Sequence, residues 1–172
     1  MNAVLLMIPF FFIRFGLMQM VNKEALPRAA LFAPLQGKER IAYLVYQLSN
    51  IFILLYPLFL KIQVHHYTFI LGFILYILGM VILVSSTIAF AKPDSNGLNR
   101  QGIYRYSRNP MYVGYFLYFL GSAIITRSIL FILAVLLFQI CAHWIILSEE
   151  RWCLSKFNEN YVEYMRHVRR YF

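Results

Sequence analysis

The sequence predicts an all-α integral membrane protein with about five transmembrane helices. Of its 172 residues, 61% are hydrophobic and only 13% are charged, whereas a soluble domain is about half apolar and about a quarter charged. The mean hydropathy is +0.64, and apolar runs long enough to cross a bilayer recur along the chain. The length fits a single transmembrane domain over residues 1–172.

The charge balance is strongly basic, with a net charge of +9 and a pI near 9.7. In a soluble protein this would favour nucleic acid as a partner. In a membrane protein it indicates positive-inside topology and contact with anionic membrane lipids, so we expect no nucleic-acid partner. Cys141 and Cys153 are too few for a disulfide framework. We therefore expect both cysteines to be free thiols. The pair His65-His66 has no third ligand nearby, so we expect no metal site.

Three apolar runs in the first half predict transmembrane helices at residues 2–21, 41–60 and 67–91. Arg14 lies near the middle of the first run, where a charge costs about 2.5–3.5 kcal/mol on insertion scales. Two interpretations stay open for it. Arg14 either contacts a substrate or headgroup inside the bundle, or it snorkels to the interface or pairs with a carboxylate.

The second half contains a polar loop, a helical hairpin and a basic tail. Residues 92–109 are rich in turn formers and charges. Apolar runs predict a fourth helix at residues 111–126 and a fifth at 129–147, joined by a tight reversal into an antiparallel hairpin. The hairpin returns Glu149-Glu150 to the membrane face where the fourth helix begins. The tail, residues 152–172, has aromatic residues at roughly helical spacing, so we expect it to cover the site or to lie along the membrane.

Basic residues are divided very unequally between the two membrane faces. Thirteen lie in the loops at 22–40 and 92–109 and in the C-terminal stretch that begins at Arg151, and only Lys61 and Arg127 lie on the opposite face. The positive-inside rule therefore predicts a multi-pass protein with its N-terminus outside, and with its C-terminus and polar loop in the cytoplasm.

The junction between the polar loop and the fourth helix suits an anionic ligand. Asn109 followed by Pro110 predicts an N-cap and a first helical residue. The free N–H groups of that first turn suit a carboxylate or phosphate, and Arg105 and Arg108 add positive charge. On the facing helix end, Glu149-Glu150 is disfavoured by the helix dipole, which favours a functional role. S-adenosylmethionine, with its carboxylate, amine, sulfonium and ribose, fits this combination of groups.

Four motifs in the second half resemble one known family. They are Leu98-x-x-x-Gly102-x-Tyr104, Arg108-Asn109-Pro110-x-Tyr112-x-Gly114, Glu149-Glu150 and Phe157-x-x-x-Tyr161-x-x-Tyr164. Together they resemble the isoprenylcysteine carboxyl methyltransferase and phospholipid methyltransferase superfamily over residues 92–170. The resemblance implies a helical membrane enzyme that takes S-adenosylmethionine from the cytosol. It also implies a lipophilic or lipid methyl acceptor that enters from the bilayer.

The resemblance divides the chain into three N-terminal helices, residues 1–91, and a cofactor-binding half, residues 92–172. The implied cofactor-binding residues are Asn96, Gly97, Leu98, Asn99, Tyr104, Arg108, Asn109, Pro110, Met111, Tyr112, Glu149 and Glu150. Two positions depart from the family pattern. Asn109 replaces a histidine, which excludes a histidine base there, and no charge stands near Ile145, where an arginine in family carboxyl methyltransferases meets the prenylcysteine carboxylate. The acceptor group, a carboxylate, an amine or a thiol, therefore stays open.

His143 is the candidate catalytic residue. It lies seven residues before Glu150 and shares its helix face. It either takes a proton from an amine or thiol acceptor, or it is a hydrogen-bonded histidine inside the bundle. The leading prediction is an S-adenosylmethionine-dependent membrane methyltransferase. The alternative is a non-catalytic bundle that binds anionic lipid or a partner through its basic cytoplasmic face. The lack of inverted repeats disfavours a transporter.

Overall fold

The computed structural model describes residues 1–172, which form helices and connecting loops without a strand. The helices are α1 (Ala3–Val21), α2 (Ala25–Ala30), α3 (Glu39–Leu55), α4 (Thr68–Ala91), α5 (Pro110–Thr126), α6 (Ile129–Phe157) and α7 (Glu159–His167). The predicted all-α integral membrane fold is confirmed, because α1, α3, α4 and α6 are each long and apolar enough to cross a membrane. The apolar helix α5 is shorter, at 17 residues, or ~25 Å at 1.5 Å per residue.

The helix boundaries agree closely with the prediction except in α6. The predicted fifth helix ends at residue 147, whereas α6 continues to Phe157. Its last part is charged, but residues such as glutamate and arginine are good helix formers, so the end of the apolar run is not the end of the helix. Glu149-Glu150 therefore lies inside a helix, and the dipole argument for its function does not apply. At Asn158 a positive φ of 45° turns the chain into α7, which confirms the predicted helical tail.

Helices α5 and α6 form the predicted antiparallel hairpin, with Arg127 in the left-handed region at φ 53° in the turn. The most extensive helix contact joins α4 and α5. Gly79 lies against the backbone of Tyr118, and Gly121 lies against the backbone of Tyr76. A Cβ atom at either glycine would overlap that backbone. These glycines therefore let the two helices approach backbone to backbone, as small residues do in membrane bundles.

A pair of buried hydroxyls joins α4 and α5 to α1. The hydroxyl oxygens of Tyr76 and Tyr118 lie 3.1 Å apart, and both groups donate to the Leu6 carbonyl. The Tyr118 hydroxyl also accepts a hydrogen bond from the Phe10 N–H at 3.2 Å. After this contact α1 widens into a π-helical turn, Phe12–Leu17, which contains Arg14. Such turns are frequent at functional sites.

Because successive membrane-crossing helices run in opposite directions, the loops gather at two ends of the bundle. The first end holds the N-terminus and two short turns, which are joined where the Gln63 N–H donates to the Ile125 carbonyl at 3.1 Å. The second end, called the cavity end below, holds residues 22–38, 92–109 and 158–172. Most of the basic residues lie at this end.

Candidate functional site

The cavity end encloses a cavity of about 530 Å³, within the roughly 300–1,000 Å³ typical of small-molecule sites. Its wall is formed by α2 with the loop after it, by the polar loop at 92–109, and by parts of α1, α3, α4, α5, α6 and α7. Most of the lining side chains are apolar or aromatic, with a small number of charged groups among them. This mixture is typical of a site that binds an organic ligand.

Glu150, on α6, is the centre of a buried ion group. Its side chain is 7% exposed, and Arg108 Nη2 lies 3.0 Å from Oε1 while Arg170 Nη2 lies 2.9 Å from Oε2. The hydrogen bond to Glu150 raises the pKa of Arg170. Burying an ion costs several kcal/mol unless it is paired and hydrogen-bonded. Both oxygens of Glu150 are paired, so this carboxylate is fully used by the protein.

The segment after α7 is held against the polar loop. The Arg108 N–H donates to the Arg169 carbonyl at 2.9 Å. The Arg108 side chain donates through Nη1 to the carbonyls of Met165 and Val168, at 3.2 and 2.9 Å. Of the two predicted alternatives for the tail, the structure therefore has it covering the candidate site.

Glu149 is bound very differently from its neighbour. Its Oε1 accepts a hydrogen bond from the Tyr112 hydroxyl at 2.9 Å, and it has no cationic nitrogen within 4.0 Å. Both Tyr112 and Glu149 line the cavity. A carboxylate has two oxygens that accept hydrogen bonds, so Glu149 keeps acceptor capacity for a ligand.

The polar loop is folded around Asp94. Arg100 Nε and Gln101 Nε2 donate to its carboxylate at 2.9 and 2.7 Å, and the hydrogen bond from Arg100 lowers the pKa of Asp94. Gly97, at φ 81°, donates its N–H to the Asp94 carbonyl at 2.8 Å. Asn99 lines the cavity, and its Oδ1 is buried without a hydrogen-bond partner. Because an unpaired buried acceptor is costly, this oxygen suits a donor supplied by a ligand.

Buried tyrosines anchor the same loop to α7. The Tyr164 hydroxyl donates to the Tyr104 carbonyl at 2.6 Å, and Leu98 is buried in a cluster with Tyr161 and Tyr164. Burial raises the pKa of Tyr104 and of Tyr164, so both hydroxyls are neutral. Tyr104 thereby offers the cavity an aromatic ring and an uncharged hydroxyl.

Asn109 does not cap α5 in the predicted way. It occupies the position before Pro110, but its side chain makes no hydrogen bond to the first turn of the helix. Asn109 Nδ2 instead donates to Glu150 Oε1 at 3.3 Å and to the Arg170 carbonyl at 3.2 Å. The buried carboxylate attracts the amide group, and Asn109 therefore ties α5 to α6 and to the tail.

A comparison with protein-family models matches residues 67–160 to the family described as phospholipid methyltransferase. The chain belongs to the phospholipid methyltransferase family. This family is one of the isoprenylcysteine carboxyl methyltransferase-like membrane methyltransferases, so the predicted resemblance is confirmed. Membership makes the chain a methyltransferase that acts on a lipid or membrane-embedded substrate. Comparisons with curated proteins and with solved structures gave no significant match.

The fold brings most of the predicted cofactor residues of this phospholipid methyltransferase family member to one cavity. Ten of the twelve line it: Gly97, Leu98, Asn99, Tyr104, Arg108, Asn109, Met111, Tyr112, Glu149 and Glu150. The other two do not. Asn96 is exposed in the polar loop, and Pro110 is buried in the first turn of α5.

His143 lies outside the cavity wall of this family member. Its Nδ1 is 2.8 Å from the hydroxyl of Tyr171 in the tail. The face of α6 that carries His143 and Glu150 packs against the tail, because Arg170 contacts Glu150 and Tyr171 contacts His143. His143 therefore does not reach the cavity, and its contact with Tyr171 is that of a hydrogen-bonded histidine, while its role as a proton acceptor stays a prediction.

One side of the cavity carries residues that no sequence motif marked. Arg28, Phe32 and Tyr46 line it, and all precede residue 67, where the phospholipid methyltransferase match begins. Arg14 lies with them and donates through Nη2 to the Ala29 carbonyl at 2.9 Å. Of the alternatives left open for Arg14, the structure does not have the carboxylate partner, because no carboxylate oxygen lies within 4.0 Å of its guanidinium. In the sequence, Arg14 was the signal for this side of the cavity, because a charged residue within a membrane-spanning helix is energetically costly.

Proposed function

We propose that the protein uses S-adenosylmethionine to methylate a lipophilic acceptor in the membrane, and that the acceptor is the amine of a phospholipid headgroup. The observation that carries this proposal is the convergence of ten family-motif residues on one cavity. The family description favours a phospholipid. A prenylcysteine carboxylate is disfavoured, because the resemblance places a carboxylate-binding arginine near Ile145, and Ile145 is apolar and buried.

The wall suits the cofactor by the chemistry of its donors and acceptors. S-adenosylmethionine carries an amine and two ribose hydroxyls, which donate hydrogen bonds. Glu149 and the unpartnered Oδ1 of Asn99 offer acceptors for such groups. The rings of Tyr104 and Tyr112 offer apolar faces to the adenosine part. When bound, the cofactor supplies a methyl group on a positively charged sulfur for an electron-rich acceptor atom.

The remaining tasks of the chain are to position the reactants and to exclude water, which are the main demands of such a transfer. Arg108, Glu150 and Arg170 hold the polar loop, α6 and the tail together at the cavity. Apolar residues of the loop after α2, among them Leu31 and Phe32, form a wall on which acyl chains can pack. No metal ligand set is part of the proposal.

The proposal also includes the orientation of the protein in the membrane and the separate roles of its two halves. We place the cavity end in the cytoplasm, where the cofactor is available, and the N-terminus outside, because basic residues gather at the cavity end. Residues 92–172 supply most of the cofactor contacts, whereas helices within residues 1–91 complete the cavity. The non-catalytic alternative is disfavoured by membership of a methyltransferase family.

The direct test is methyl transfer in vesicles. The purified protein is reconstituted with phosphatidylethanolamine and supplied with S-adenosylmethionine that carries a radioactive methyl group. We expect label in the extracted lipid, and we expect much less with Glu149→Gln. Glu163→Gln, at an exposed position of α7, is the matched control. Unlabelled lipid in every sample, with no cofactor binding by the protein, would overturn the proposal.

A further inference from the structure

The charged groups in the cavity wall are unequally paired. The wall contains the cations Arg14, Arg28, Arg108 and Lys156 and the anions Glu149 and Glu150. Glu150 is already bound to Arg108 and to an arginine of the tail, and Glu149 has no cation within 4.0 Å. Arg14, Arg28 and Lys156 therefore line the cavity without a carboxylate partner, and Lys156 instead lies over the rings of Trp152 and Phe157. An arginine buried in a membrane protein normally pairs or marks a functional site.

Arg14 lies deep in the bundle. It is seven residues before the end of α1, or ~10 Å at 1.5 Å per residue, and it belongs to the π-helical turn Phe12–Leu17. Nη2 donates to the Ala29 carbonyl at 2.9 Å, and Nη1 lies 3.7 Å from the sulfur of Met111, a weak acceptor. A guanidinium has five N–H donors, so most of those of Arg14 have no protein acceptor.

Arg28, on α2, brings a second guanidinium to the same cavity. It lies over the ring of Phe90, 4.5 Å from the centroid, and donates to the Phe90 carbonyl. Its Nε is buried without a hydrogen-bond partner, and burial lowers the pKa of Arg28. Ala29, which accepts the hydrogen bond from Arg14, is the next residue. The two arginines are thus held by one short segment of chain.

Exposed apolar side chains lie a few residues after Arg28 in the chain. Leu31 and Phe32 line the cavity and are 73% and 40% exposed. The wall therefore changes from guanidinium groups inside the cavity to apolar groups at its open edge. That order fits an amphiphile whose anionic group is attached next to its hydrocarbon chains. The phosphate of a phospholipid has this arrangement, and it matches the bidentate donors of arginine.

We propose that Arg14 and Arg28 form an anion subsite that binds the phosphate of the lipid acceptor. The inference rests on the proposed function, and it specifies how the acceptor is recognised. The phosphate supplies the acceptors that both guanidiniums lack, and the acyl chains leave the cavity past Leu31 and Phe32. The two arginines thereby select an acceptor that carries an anionic group near its methyl-accepting end.

The carboxylate of the cofactor shares this chemistry, so the test must separate the two anions. The motif residues assigned to the cofactor come from the polar loop, α5 and α6, whereas both arginines come from α1 and α2. This separation, together with the apolar edge beside Arg28, favours the acceptor.

The experiment is calorimetric binding to the full-length protein in a nonionic detergent. The probes are dioctanoyl phosphatidic acid, dioctanoylglycerol, which lacks the phosphate, and S-adenosylmethionine. The variants are Arg14→Gln, Arg28→Gln, Arg14→Lys and Arg28→Lys. Arg105→Gln is the matched control, because Arg105 is exposed and lies outside the cavity. Thermal unfolding identifies variants that are folded, and the lysine variants carry the test if a glutamine variant is not.

We expect the native protein to bind phosphatidic acid about tenfold or more tightly than diacylglycerol. Each glutamine variant should lose about tenfold in affinity for phosphatidic acid and little for diacylglycerol, and the lysine variants should retain part of the preference. Arg105→Gln should match the native protein, and cofactor affinity should change by less than about twofold in all folded variants.

Native affinity for phosphatidic acid in the glutamine variants would overturn the subsite. A tenfold loss of cofactor affinity there would overturn it too, by assigning the arginines to the cofactor. If even the native protein fails to bind S-adenosylmethionine, the proposed function fails, while the lipid titrations still decide the subsite.

Discussion

The two walls of the cavity satisfy their charges in different ways. On the wall formed by the polar loop, α5, α6 and the tail, Glu150 is paired with Arg108 and Arg170. On the wall formed by α1 and α2, Arg14 and Arg28 have no carboxylate partner. The ion group around Glu150 is formed before any ligand binds. Arg14 and Arg28 gain a counter-ion only when an anion binds in the cavity. Charged groups that line one cavity can therefore stabilise the fold on one side and remain available to a ligand on the other.

The same distinction separates two adjacent carboxylates. Glu150 uses both oxygens within the protein, whereas Glu149 accepts one hydrogen bond, from Tyr112. Glu150 is therefore fully paired within the protein, and Glu149 is the carboxylate that keeps acceptor capacity for a ligand. Substitution of Glu150 should therefore lower stability, whereas substitution of Glu149 should weaken binding.

The largest effect is expected from Glu150→Gln. This change leaves Arg108 and Arg170 without their common counter-ion, and breaking a buried ion pair costs about 3–5 kcal/mol. We expect the free energy of unfolding in detergent to fall by about that amount. Glu163→Gln, on the exposed face of α7, should change it by less than about 0.5 kcal/mol. Equal stability of the two variants would show that the ion group does not hold this wall together.

A smaller effect is expected from Asn109→Ala. The variant loses the hydrogen bonds from Nδ2 to Glu150 and to the Arg170 carbonyl, and a hydrogen bond to a charged group contributes about 1.5–3 kcal/mol. We expect a loss of stability near the lower end of that range and weaker cofactor binding. Asn109→His should restore part of both, because imidazole can also donate to Glu150. Native stability and native cofactor affinity in the alanine variant would show that Asn109 does not help to hold this wall together.

The smallest effect is expected at the exposed edge of the same wall. The hydrogen bond from Arg100 lowers the pKa of Asp94, so the pair stabilises the loop above the unfolded pKa of aspartate, about 3.9. This contribution is lost as the pH falls through the lower folded value. Pairs near the surface contribute about 0.2–1 kcal/mol. We expect native protein and Asp94→Asn to differ by that amount at about pH 7, and we expect the difference to shrink progressively as the pH falls below about 3.9. A difference independent of pH would contradict the assignment.

The sequence predicted the parts of the molecule that depend on local pattern. Apolar runs located the four helices of membrane-spanning length and the shorter α5, and the family motifs marked Tyr104, Arg108 and Glu149, which line one cavity. Contacts between distant segments could not be predicted in this way. The end of α6 was placed too early, because its charged residues find partners in the protein: Arg151 binds Glu39 at 2.7 Å. The amide of Asn109 was expected to cap α5, but a buried carboxylate 41 positions away attracts it instead.

The N-terminal wall was the least predictable part of the site. Its short helix α2 has only six residues and carries no motif. Its position depends on contacts with other helices, such as the stacking of Arg28 on Phe90. Only Arg14 gave a signal, through the physical cost of placing its charge within a membrane helix.

We infer that this cavity binds S-adenosylmethionine through the acceptor oxygens of Glu149. Calorimetric titration of the cofactor into the detergent-solubilised protein tests this claim. We expect saturable binding by the native protein and by the control Glu163→Gln. For Glu149→Gln we expect affinity weaker by about 1.5–3 kcal/mol, or roughly tenfold to a hundredfold, the scale of a charge-assisted hydrogen bond. Its unfolding free energy should change little, because Glu149 has only Tyr112 as a partner. An absence of binding by the native protein, or equal affinity in Glu149→Gln, would contradict the claim.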